Sequence, residues 1–208
     1  IAGLSSTAVG ALAADQIAAL GTRQIAALTT TALTGLDATR LAAFSTTQIS
    51  GLTTTQIAGL TTTGVAGLTA TELAALTSTQ LRALTPARVG ALTTTQVAAL
   101  STNRLSELTT SQIAGLLETQ VAALSTTQVA SLSTTQIASL SATGIGGLQG
   151  TQIAALSSAQ TAALSAALVA SLSTAAVAGL TSTEIDALTS TQFAALSRTP
   201  IAALTTRP

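Results

Sequence analysis

The sequence predicts an all-α solenoid in which every octapeptide supplies one short helix of about seven residues. Three observations predict it: an unbroken eight-residue repeat, a recurring helix-start signal, and a pair of apolar positions spaced three apart. With Ile1 as position 1, the 208 residues divide into 26 octads without an insertion. A typical unit reads Thr53-Thr54-Thr55-Gln56-Ile57-Ala58-Gly59-Leu60.

Position 4 is Leu from Leu4 to Leu204, with Phe44 the one exception. Position 1 is Ile, Val or Leu in 24 octads, the exceptions being Thr161 and Phe193. Position 3 is Ala, Gly or Ser in 25, with Glu107 the outlier. Position 5 is Ser, Thr or Asp in 22, and position 8 is Gln or Glu in 15.

One continuous helix does not fit this repeat. Eight residues at 3.6 per turn rotate the apolar stripe by about 80° per octad, so it spirals around the rod and faces no partner. A β-solenoid is the alternative, since Thr, Ile and Val favour strands. Positions 1 and 4 then point to opposite faces, however, and Ala is a poor strand former. Position 3 is Ala more often than Gly, which points to a need for smallness rather than for a left-handed turn.

The short-helix reading explains several positions by one mechanism. Ser or Thr at position 5 with Gln or Glu three residues later is a capping box, each side chain bonding the other's backbone amide. Leu at position 4 and Ile or Val at position 1 then form a hydrophobic staple across the same helix start. Pro86 falls at the first helical residue, where proline is favoured, while Pro200 and Pro208 fall at the third. Arginines and acids alike concentrate at positions 5 to 8, which marks these as the solvent side.

Burying one Ile and one Leu does not offset the entropy of ordering eight residues, so no octad is stable alone. Stability must come from successive coils, with the small position 3 letting helices approach. The pattern weakens between Ser141 and Leu164: Gly144, Gly146, Gly147 and Gly150 interrupt it, Gln149 replaces the cap, and Thr161 sets a hydroxyl at a core position. This reads as a packing irregularity and the weakest part of the array.

Composition narrows the function. The chain has no His, Cys, Met, Trp or Tyr, and seven Arg balance seven acids. General-base imidazole chemistry, thiol chemistry and disulfides are excluded, and neutrality gives no footprint for nucleic acid. Mean hydropathy is +0.60, yet no apolar run is long enough to span a bilayer. No signal peptide is visible, and the opening at Ile1 reads as a fragment of a longer array covering 1–208 as one domain.

The run from Leu124 to Leu132 resembles octapeptide arrays found in very long bacterial surface or secreted proteins. That resemblance covers the whole chain and implies a spacer or scaffold at the cell surface or outside the cell, with no catalytic residue. The turn Leu84-Thr85-Pro86-Ala87-Arg88-Val89 also resembles the first helix of DNA-binding repeat proteins, but no second helix or base-reading loop accompanies it.

The remaining candidates read more simply as structure. Thr at positions 6 and 7 resembles ice-binding proteins in composition, and it also suits an exposed first turn. Gln at position 8 offers a carbohydrate-binding or amyloid-like ladder, but the capping box already accounts for it. Asp15, Asp37, Glu72, Glu107, Glu118, Glu184 and Asp186 are too scattered for a cation site, and Arg104 with Glu107 reads as a surface ion pair. The glycine cluster lacks the Lys and strand of a phosphate loop. No triad, dyad or metal constellation can be assembled, so the expectation is a structural repeat protein, not an enzyme. It names no catalytic, cofactor-binding or metal residue, no cofactor, and no partner beyond neighbouring repeats or domains. The rival function is a binding module whose repeated Thr face takes ice or polysaccharide.

Overall fold

A computed structural model describes residues 1–196, and the Pro200 and Pro208 readings lie outside these residues. Cα packing divides the chain into two compact units, Ile1–Leu100 and Ser101–Pro208. The first holds α1 (Ser6–Gly10), α2 (Ala14–Ala18), α3 (Thr22–Ala26), α4 (Thr30–Leu33), α5 (Ala38–Leu41), α6 (Thr46–Ser50), α7 (Thr54–Gly59), α8 (Thr62–Gly67), α9 (Ala70–Ala75), α10 (Ser78–Ala83), α11 (Pro86–Gly90) and α12 (Thr94–Ala98). The second holds α13 (Thr102–Glu107), α14 (Thr110–Ala114), α15 (Glu118–Ala122), α16 (Thr126–Ala130), α17 (Thr134–Ala138), α18 (Ala142–Gly146), α19 (Gly150–Ile153), α20 (Ser158–Ala162), α21 (Ala166–Ala170), α22 (Thr174–Ala178), α23 (Ser182–Ala187) and α24 (Ser190–Leu196). The described residues are all-α, with no strand, and one helix arises every eight residues.

Each helix begins where the sequence places it. Thr53, in extended conformation at φ −74° and ψ 159°, is the N-cap of α7. Its hydroxyl accepts from the Gln56 amide at 3.2 Å, while Gln56 Oε1 accepts from the Thr53 amide at 2.8 Å. Where position 5 has no hydroxyl, as at Ala13, Gly21 and Leu117, the glutamine half of the pair is still made, at 2.8–2.9 Å. Pro86 opens α11 at the N1 end, as its fixed φ and missing N–H favour.

The helices are four to seven residues long, most of them five, and so shorter than predicted. The position-4 leucine is the reason. Its amide makes a tight i→i−3 bond, as from Leu60 to the Ile57 carbonyl at 3.3 Å, which closes the last turn. Its own backbone is then extended, at φ −57° and ψ 145° in Leu60, and the following N-cap is extended as well. Two extended residues therefore make each corner. Among the described residues none has positive φ, so no corner needs glycine.

Within each unit a helix packs on the helix three further along: α1 on α4, α4 on α7 and α7 on α10 in the first, α14 on α17, α17 on α20 and α20 on α23 in the second. Three octads thus make one turn. Positions 1 and 4 fill the core, with Ile57 and Leu60 both fully buried. Position 3 lies over position 6 of the residue 29 earlier. A methyl group on Gly67 would overlap Ala38, and one on Gly35 or Gly147 would overlap the carbonyl of Ser6 or Glu118. Smallness at position 3 is what close stacking requires.

The same finding bears on part of the reading of 141–164. Gly147 and the Gly150–Gly179 pair sit where the backbones of adjacent coils meet, so these glycines allow a close approach, while Gln149 makes no side-chain cap bond. Thr161 remains exceptional. Its hydroxyl is buried and makes no hydrogen bond, not even back to its own helix.

Candidate functional site

The recurrent polar feature of the structure is the buried position-8 side chain. Gln56 is 2% exposed. While its Oε1 holds the N-terminus of α7, its Nε2 donates to the carbonyls of Ile25 at 2.8 Å and Leu28 at 2.7 Å. Those two residues lie at the end of α3 and the corner after it, in the coil beneath. The Leu28 carbonyl has no helical donor, while the Ile25 carbonyl already accepts from the Leu28 amide at 3.0 Å and takes a second bond. One amide group therefore closes the start of its own helix and the end of another.

This geometry repeats in both units. The Nε2 groups of Gln48 and Gln80 reach Leu20 and Leu52 at 2.8 and 2.6 Å, and Gln96 bonds Leu68. In the second unit Gln136, Gln152, Gln160 and Gln192 reach Leu108, Leu124, Leu132 and Leu164 at 2.5–2.9 Å. The acceptor is always 28 residues earlier. Gln16 and Gln24, with no coil before them in this sequence, keep the N-cap bond and are exposed.

Other residues at position 8 perform part of this task. Arg40 Nε donates to the Leu12 carbonyl at 3.2 Å, and Arg88 Nε donates to that of Leu60, again 28 residues back. These arginines are therefore not merely solvent-facing, as the sequence implied. A carboxylate has acceptors only. Glu72 Oε2 and Glu184 Oε2 each accept from an N-cap amide at 2.6 Å, but neither side chain has an N–H for the coil beneath.

The second role of glutamine escaped the sequence reading. Its signal was the ratio of 13 Gln to two Glu at position 8. A capping box needs only an acceptor, and a helix N-terminus favours the charged one. The excess of amide marks a required donor.

The acids form no group of three or more among the described residues. Asp15, Glu118 and Asp186 are exposed, and Asp37 is the N-cap of α5. Asp37 pairs with Arg40 at 2.5 Å, which the sequence reading missed, and Arg104 pairs with Glu107 at 2.8 Å as it expected. Position 7 is exposed in every described octad, and Thr7, Thr31, Thr55 and Thr79 follow one another up the stacked helices α1, α4, α7 and α10. Two open grooves, about 300 and 330 Å³, lie between α19 and α22 and between α21 and α24. Their linings are Ala, Gly and Thr, with no titratable group.

Against known families, a model of the ALTTAQ repeat matches residues 1–30, 65–102 and 168–198. The chain is a helical repeat protein. The ALTTAQ stretches lie in both compact units and include α1 to α3, α9 to α12 and α22 to α24. No curated protein and no solved structure matches the chain. Among the described residues no helix is long and apolar enough to cross a membrane.

Proposed function

We propose that this chain is a spacer or scaffold within a larger bacterial surface or secreted protein, and that it performs no catalysis. One observation carries the reading. The glutamines that recur along the array use one end of the amide to cap their own helix and the other to hold the coil beneath, rather than facing a cavity. Similarity to the ALTTAQ repeat over three stretches supports a repeat-based structural role. In variants lengthened by one, two and three 24-residue coils, hydrodynamic size should rise in equal steps with unchanged helicity per residue. Accessibility of the parent protein to a membrane-impermeant label on intact cells tests the location. Unequal steps, or labelling only after lysis, count against the respective part of the proposal.

A second reading has its own observation, the exposed Thr7–Thr31–Thr55–Thr79 column. It is the face that ice or an ordered polysaccharide would meet. Thermal hysteresis and co-sedimentation with insoluble polysaccharides test it, and Thr31→Asp with Thr55→Asp should abolish any signal.

A further inference from the structure

One place in the second unit breaks the repeat twice. Thr161 is the one hydroxyl among the position-1 residues, and Glu184 is one of two acids at position 8. They stand on α20 and α23, which pack against each other. Both are buried, with Thr161 1% and Glu184 2% exposed. Glu184 Oε2 accepts from the Thr181 amide, but Glu184 Oε1 and Thr161 Oγ1 have no hydrogen-bond partner.

Their separation of 23 residues is the spacing at which side chains of these two positions meet. A Cβ built on Gly64, also at position 8, would lie 2.7 Å from Leu41 Cδ1, 23 residues back, and 3.6 Å from the Leu36 carbonyl, 28 back. Carried to Glu184, these neighbours become Thr161 and the Leu156 carbonyl. The glutamine bonds add the carbonyl 31 residues back, which here is Ile153. Where Gln places an N–H among these acceptors, Glu184 places a second acceptor.

We propose that Glu184 Oε1, Thr161 Oγ1 and the carbonyls of Ile153 and Leu156 bind a monovalent hard cation, sodium being the probe. All four ligands are oxygen, the donor type that hard cations select. The set carries one formal negative charge, which one sodium ion balances, and a buried carboxylate without a counter-charge is costly. Thr161 also presents an oxygen where the usual Ile, Val or Leu presents only carbon. Glu72 lacks this set, because the residue 23 before it is Ile49.

The test is thermal unfolding of the full chain with NaCl replaced stepwise by choline chloride at fixed ionic strength. The wild-type Tm should rise by a few degrees with sodium and then saturate. Glu184→Gln installs the usual residue, so it should fold and lose the sodium dependence. Thr161→Val should weaken the dependence, and Glu72→Gln should retain it. Sodium-23 line broadening should appear with the wild type and vanish in Glu184→Gln. Identical melts in sodium and choline, or a dependence that survives Glu184→Gln, would overturn the site.

Discussion

Gln56 Nε2 lies 2.7 Å from the carbonyl oxygen of Leu28, 28 residues earlier and one coil below. The bond uses the half of the side chain that the N-cap does not need. Gln56→Glu keeps the acceptor for Thr53 and removes the donor, turning a carboxylate oxygen toward the carbonyls of Ile25 and Leu28. Leaving the buried Leu28 carbonyl unpaired and facing a carboxylate should cost about 3 kcal/mol or more in denaturant unfolding. Gln16→Glu, at an exposed position, should change stability by less than about 0.5 kcal/mol. Equal costs at the two sites would show that the bond between coils contributes nothing.

Glu72 supplies the reverse experiment. It is buried, and its Oε2 already accepts from the Thr69 amide at 2.6 Å. The repeat register sets it above the carbonyls of Leu41 and Phe44. Glu72→Gln keeps an acceptor and adds a donor, so unfolding should shift in the stabilising direction by about 1–2 kcal/mol. A loss of stability would mean that the register does not extend to this site.

Gly146 and Gly147 are adjacent, and the structure gives opposite expectations for them. A Cβ on Gly146 would find the Ser171 carbonyl at 3.5 Å, an ordinary contact, whereas one on Gly147 would overlap the Glu118 backbone. Gly146→Ala should be neutral or stabilise by up to about 1 kcal/mol through helix propensity. Gly147→Ala should destabilise by about 1–3 kcal/mol through overpacking. Paired chemical melts decide it, and the reverse order would mean that these helices stack less closely.

The helix starts can be tested with two threonines of one octad. Thr53→Ala removes the hydroxyl that accepts from the Gln56 amide and should cost about 1 kcal/mol. Thr55→Ala, at an exposed position two residues later, should stay within about 0.5 kcal/mol of the parent. Similar costs in urea unfolding would place the helix start elsewhere.

Much of this architecture was legible because it is local. A hydroxyl at position 5, a glutamine three residues on and a leucine just before it describe one helix start, and all three lie within a single octad. The number of octads per turn was not legible. That number depends on angles at corners such as Leu60–Thr61, where ordinary residues take extended conformations without glycine or proline to announce them. The cation candidate was hidden for the same reason. Thr161 and Glu184 look unrelated until three octads per turn bring position 1 and position 8 together at a spacing of 23. Gly147 misled in the opposite way, since helix propensity counts a glycine as a weakness while packing between coils requires one.

The Nε2 bonds of the position-8 glutamines described above run in one direction, from a later coil back to carbonyls 28 to 31 residues before it. A ribosome delivers the N-terminal residues first, so the acceptors always exist before their donors. Each new turn of chain meets a finished template, and none has to wait for residues not yet made. Loops of about thirty residues also close quickly compared with distant pairings. Such a chain can assemble turn by turn in the order of its own synthesis, and its length can grow by gene duplication without lengthening any single closure step.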